Sequence, residues 1–226
     1  MQCIQSNSLL LPQIQNSIVM DTMDIKDALQ EPLNNYGNNI QEAFRQIAEN
    51  LFQNFCIRCN ETIFYFAEIE FYYYDKDNFN KEWNKKTYPR TGKEAGKLFF
   101  HYSGFDICFE SDFKKGVFGG ILIRSLFDKT NDRFITGPLL CVNEMLNACS
   151  DSQTWPEIIP TQKEKCEVAE PIGRYGITYE DKGLDDEPLC FFDKNIKCTN
   201  GFKDATWDFN NKKSKNVTRY YHRFRK

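Results

Sequence analysis

The stretch Ile63-Phe64-Tyr65-Phe66-Ala67-Glu68-Ile69-Glu70-Phe71-Tyr72-Tyr73-Tyr74 decides how this chain folds. It is a run of aromatic and β-branched strand formers that holds two carboxylates. Side chains alternate faces along a strand. Phe66, Glu68, Glu70 and Tyr72 are therefore expected on one face, with Ile69, Phe71 and Tyr73 on the other. Acids at i and i+2 of an apolar strand admit two readings, the solvated face of an antiparallel sheet or a seat for a catalytic carboxylate. Periodicity does not choose between them.

Upstream, Phe44, Ile47, Ala48, Leu51 and Phe52 recur at helical spacing within residues 41–52, which predicts an amphipathic helix. A strand at Phe55-Cys56-Ile57-Arg58 and a turn at Asn60-Glu61 then lead into the opening strand, giving a helix followed by a hairpin. Residues 1–38 are rich in Gln and Asn and are expected to be mostly irregular, with a short helix around Asp24–Gln30.

Downstream, Asp75 to Lys97 is polar and broken by Pro89, Gly92 and Gly96, so it reads as a long loop. Leu98 to Tyr102 reads as a strand, broken at Ser103-Gly104 and continued by Phe105 to Phe109. Lys114-Lys115-Gly116 turns the chain into an apolar strand, Phe118 to Leu126, which contains Arg124. Gly137-Pro138 precedes a helix from Leu139 to Leu146 that extends toward Cys149. A loop over 150–172 follows, then strands at Arg174–Thr178 and Leu189–Phe192. Hairpins dominate and helices are few, which predicts an α+β fold with a curved antiparallel sheet.

A chain of 226 residues suits one domain. It divides into an irregular segment 1–38, a domain 39–195 and an extension 196–226. Its net charge of −3 carries no global nucleic-acid signal. From Lys212 to Lys226, however, there are seven Lys/Arg and no acid, and removing that +7 from −3 leaves −10 for the remainder. Nine cysteines and two histidines offer no pair of zinc-ligand motifs. The Cys56-x-x-Cys59 spacing runs into a strand rather than a helix N-terminus, which argues against redox chemistry there. Reduced thiols fit an intracellular protein, and Met1 to Met20 lacks the basic start of a secretory leader. A cytoplasmic location, or a nuclear one, is expected, with no membrane span.

The order of these pieces resembles the methylpurine-DNA glycosylase family (alkyladenine or 3-methyladenine DNA glycosylases). Ala67-Glu68-Ile69-Glu70-Phe71-Tyr72 is similar to its Val-Glu-Thr-Glu-Ala-Tyr strand, and Tyr88-Pro89-Arg90 to its Thr-Pro-Arg loop. Leu98 to Phe109 around Gly104 resembles its tyrosine-rich Tyr-Gly strand. Ile121-Leu122-Ile123-Arg124-Ser125-Leu126 looks like its Val-Leu-Ile-Arg-Ala-Leu strand, and Gly137-Pro138 like the Gly-Pro before its helix. Arg174-Tyr175-Gly176-Ile177 and Pro188 to Phe192 match its late strands. The likeness covers roughly residues 40–193 in order. It points to a divergent, bacterial-type branch with Phe-Phe-His and Gly-Gly-Ile-Leu-Ile-Arg strands. It implies one α+β domain around a curved sheet, of the kind also seen in formyltransferase C-terminal domains.

The resemblance implies a monofunctional DNA N-glycosylase that hydrolyses the bond between base and sugar. Such an enzyme extrudes the nucleotide, stacks the base on aromatic faces, and uses a carboxylate to activate water and stabilise a cationic sugar. That chemistry needs no metal, cofactor or lysine nucleophile. By resemblance Glu70 is the general base, Tyr72 and Phe100 stack on the base, and Arg124 meets a DNA phosphate. Glu68 is expected to support structure.

The chain departs from the family in three places. The family's pocket histidine falls at Lys81, with His101 on the neighbouring strand as a possible substitute. Its intercalating tyrosine becomes Ser103, beside Tyr102. Its pocket asparagine aligns with Glu110, an extra acid that bears on which base is accepted. Arg90 is a further DNA-contact candidate. So are Lys212, Lys213 and Arg219 of the basic, aromatic tail, whose residue types suit phosphates and base stacking, or an acidic membrane surface. A monomer with DNA as partner is expected. Two alternatives stay open: a nucleic-acid-binding module without turnover, and a hydrolase of free nucleosides.

Overall fold

The computed structural model describes residues 23–37, 39–79, 87–90, 94–150, 153–163, 166–168, 190–193 and 195. They form an α+β fold in which three helices pack on a curled antiparallel sheet. The helices are α1 (Ile25–Asn35), α2 (Ile40–Asn54) and α3 (Pro138–Cys149). The strands are β1 (Phe55–Cys59), β2 (Thr62–Asp75), β3 (Leu98–His101), β4 (Gly104–Cys108), β5 (Val117–Asp128), β6 (Arg133–Thr136), β7 (Glu157–Pro160) and β8 (Cys190–Phe192). Their order is β3-β4-β5-β2-β1-β7, with β6 beside β5 and β8 beside β2.

The expected helix and hairpin are present. All five apolar positions of α2 are buried, and Asn39 caps its start by accepting from the Glu42 N–H at 3.2 Å. The turn Asn60-Glu61 joins β1 to β2, with Asn60 at φ 53°, a left-handed angle that Asn tolerates. Phe44 of α2 stacks on Phe71 of β2, ring centres 4.3 Å apart. Around this pair lies one apolar cluster fed by all three helices and by the inner face of the sheet.

Four expectations are corrected. Residues 25–35 form a longer helix than the one expected around Asp24–Gln30, and α1 runs through Pro32. The chain does not continue after Ser103-Gly104 but reverses, pairing His101 with Gly104 as a tight hairpin. The expected loop 150–172 contains a short strand, β7, and the unassigned stretch after Leu126 contains another, β6.

The fourth correction concerns the opening strand. Phe64, Phe66, Ile69, Phe71 and Tyr73 all belong to the inner core, so Phe66 lies opposite its expected face. Two residues, Ala67 and Glu68, intervene between Phe66 and Ile69. On β5 two residues, Arg124 and Ser125, likewise intervene between the core residues Ile123 and Leu126. The pairing register slips at this point, from Phe66↔Leu126 to Glu68↔Ser125 to Ile69↔Ile123. These are facing β-bulges, one on each strand, and the second restores the register that the first breaks. The strand expected at Arg174–Thr178 lies outside the described residues. Among the described residues no helix is long and apolar enough to cross a membrane.

Candidate functional site

The facing bulges place an acid and a base on the same side of the sheet. Arg124 donates through Nη1 to Glu70 Oε2 at 2.6 Å and through Nε to Glu68 Oε1 at 3.1 Å. Ser125 Oγ donates to Glu68 Oε2 at 2.8 Å, and the Tyr72 hydroxyl to Glu70 Oε1 at 2.8 Å. Glu70 accepts at both oxygens, the bonding pattern of an ionised carboxylate. Glu70 is 0% exposed, Glu68 1% and Arg124 9%. Burial of Glu68 and Glu70 excludes the solvated-face reading of this strand. Charges withdrawn from water in this way are stable only when paired and hydrogen-bonded.

A row of directly opposed residues extends from this centre across the sheet: Phe99, Asp106, Leu122, Glu70 and Cys190. Opposed residues share a face. A second buried ion pair lies one strand beyond Leu122. Arg90 Nε donates to Asp106 Oδ2 at 2.9 Å, its Nη2 bonds the same oxygen, and its Nη1 donates to the Tyr88 carbonyl at 2.7 Å. Arg90 and Asp106 are 2% and 1% exposed. The guanidinium lies over Gly120, the residue paired with Tyr72; a Cβ on Gly120 would come within 3.2 Å of Arg90 Nε. Burial pushes the Tyr88 phenol above its ordinary range, with Arg90 opposing and Asp106 adding to the shift.

His101 completes this second group. Its Nε2 lies 3.2 Å from Asp106 Oδ1, and its Nδ1 accepts from the Ser103 N–H at 3.2 Å. Because Nδ1 is an acceptor, the ring proton sits on Nε2 and points at Asp106.

The expected site residues are thus distributed unevenly. Glu70, Tyr72 and His101 share one face of the sheet. Phe100 does not. It pairs with Phe105 of the inner core, stacks on it at 5.7 Å, and points to the opposite face, so stacking beside Tyr72 is not available to it. Phe99 occupies the row that contains Glu70. Arg124 is an internal counter-ion to two carboxylates rather than an exposed phosphate ligand, and Arg90 is likewise committed to Asp106. Tyr102 is 92% exposed at the tip of the β3–β4 turn. Glu110 is on the surface, 3.4 Å from Lys26. Lys81, Lys212, Lys213 and Arg219 lie outside the described residues.

Sequence reasoning missed Asp106 and Ser125. Asp106 had a legible signal, since an acid inside Phe105-Asp106-Ile107-Cys108 requires a buried partner. Ser125 had none, because its role depends on the bulge. Among the described residues no group of three or more His, Cys, Asp or Glu side chains converges to hold a metal ion. A cavity of about 400 Å³ lies between α1 and α2, lined by Glu31, Tyr36, Glu42 and Glu49 among others. Those helices cover the inner face of the sheet, so this cavity is away from Glu70. Comparison of the chain with models of protein families, with curated proteins and with solved structures returned no match.

Proposed function

We propose that the chain is a DNA N-glycosylase in which Glu70 activates water for attack on the sugar carbon of an extruded nucleotide. The observation that carries this reading is the bonding of Glu70: Arg124 on one oxygen, Tyr72 on the other, in a buried setting. Two fixed donors hold the carboxylate in one orientation. A carboxylate offers about four acceptor positions, so orientation by two of them is compatible with action as a base. As positive charge develops on the sugar, Glu70 is the adjacent anion, and in a water-poor site such stabilisation is strong. Tyr72, tethered through its hydroxyl, offers a ring face beside the carboxylate. Tyr102 is the candidate DNA contact of the β3–β4 turn, and the tail residues Lys212, Lys213 and Arg219 are candidate phosphate contacts.

One observation favours a second reading. The complete burial of Glu70 suits a binding module in which the Glu68–Arg124–Glu70 group only organises the sheet. Base release decides between them. The chain and its Glu70→Gln variant are incubated with DNA carrying alkylated, deaminated and hypermodified bases, and free bases are detected by mass. Release by the parent alone supports the glycosylase. DNA binding without release supports the binding module.

A further inference from the structure

Tyr102 and Ser103 form the tip of the β3–β4 hairpin, and one side chain holds that tip closed. His101 Nδ1 accepts the Ser103 N–H at 3.2 Å, while Nε2 faces Asp106 Oδ1 at 3.2 Å. On the far side, Gly104 is fixed against α3: a Cβ there would meet Pro138 Cβ at 2.6 Å. The hairpin is therefore packed against α3 at Gly104 and bonded at His101, on either side of Tyr102-Ser103.

We propose that His101 is a positioning residue for this turn, and that its protonation opens the turn and re-aims Tyr102. Protonation adds a hydrogen to Nδ1, which then confronts the Ser103 N–H donor to donor. One of the two must withdraw. The charged groups around the ring decide which. Asp106, from β4, holds the Nε2 side of the ring at 3.2 Å. Arg90, from segment 87–90, is already bound to the other oxygen of Asp106. Tyr88 and Tyr102 meet the ring edge-on at 6.4 and 6.2 Å, and Phe99 stacks on it at 5.9 Å. The ring is thus held by Asp106 and stacked on Phe99, whereas Tyr102 is 92% exposed with solvent around it. The turn moves and the ring stays. This inference does not depend on whether the chain releases a base.

The test is nuclear magnetic resonance on the full chain. Ring nitrogen shifts of His101 report the tautomer and its titration, and amide exchange reports the protection factor of the Ser103 N–H. Below the titration of His101, loss of one hydrogen bond is expected to lower that protection factor about tenfold. Two variants separate the ring's two bonds. His101→Asn keeps an oxygen near the Nδ1 position that does not titrate, so Ser103 is expected to stay protected on both sides of the titration. His101→Gln reaches toward Asp106 but leaves Ser103 without its acceptor, so protection is expected to be low throughout. Three results would overturn the proposal: a ring that titrates while Ser103 protection holds, a His101→Asn variant that loses protection like the parent, or a ring that never titrates in the folded chain.

Discussion

Asn50 of α2 donates its side-chain N–H to the Ala28 carbonyl of α1, 3.2 Å away. Ala28 stands four residues before Pro32, and proline has no N–H to return to that carbonyl. Asn50 supplies the donor that Pro32 lacks, and α1 continues to Asn35. Asn50→Ala is expected to destabilise the fold by about 1–3 kcal/mol, the cost of leaving a part-buried acceptor without a partner. In a Pro32→Ala background the helix regains its own donor, so the same substitution should cost distinctly less. Urea unfolding of the four proteins measures both terms.

Arg124 neutralises two buried carboxylates at once. Arg124→Met would remove the guanidinium that bonds both Glu68 and Glu70. The expected loss is about 3–5 kcal/mol. Adding Glu68→Gln and Glu70→Gln removes the stranded charges and should restore part of that loss. Simple additivity in chemical denaturation would show that the three groups do not act as a unit.

The centre also requires glycine at two consecutive positions of β5. A Cβ on Gly119 would approach the Tyr72 carbonyl oxygen to 2.1 Å, and one on Gly120 would meet the Ile107 carbonyl oxygen at 3.0 Å and Arg90 Nε at 3.2 Å. Both positions meet backbone oxygen, but the approach at Gly119 is far the tighter. Gly119→Ala is therefore expected to cost at least about 2–3 kcal/mol, toward the upper end of overpacking changes. Gly120→Ala should cost less and should loosen segment 87–90, read as faster exchange of its amides.

Asp75 ends β2 and closes the turn that follows. Burial raises its carboxyl, but bonds from Asn78, the Asp77 N–H and the Tyr36 hydroxyl outweigh it and hold the group below its ordinary value of 3.8. The folded value lies below the unfolded one. Asp75 therefore contributes stability that is fully present above pH 3.8 and is lost as pH falls through the folded value. Asp75→Asn should flatten the acid limb of the stability curve, and an unchanged limb would contradict this assignment. Burial first, then Asp75, push the Tyr36 phenol upward. Its contribution is present below pH 10 and is lost as pH rises through its higher folded value.

Much of this architecture was legible in the chain. Phe44, Ile47, Ala48, Leu51 and Phe52 show one helical face, and turn residues mark the hairpin at Asn60. Other features were not, for physical reasons. A bulge carries no signature in side-chain alternation except a break in it. Ala67 hid that break, because a small apolar residue suits either face. The parity of Phe66 was misjudged as a result. Phe99 and Phe100 are chemically alike, and only pairing with Asp106 and Phe105 separates their faces. Strand β6 is four residues long. Its signal lay in Asn131-Asp132, turn residues that place Asp132 at φ 50°. The resemblance assigns Arg124 to a DNA phosphate, and nothing local in Ile123-Arg124-Ser125 names the distant carboxylates it serves.

The account centres on Glu70 as an oriented base, and single-turnover base release from DNA tests that most directly. The parent chain is predicted to release a damaged or modified base, and Glu70→Gln to do so at least about a hundredfold more slowly while still binding DNA. No release by the parent from any modified base, or equal release by the variant, would contradict it.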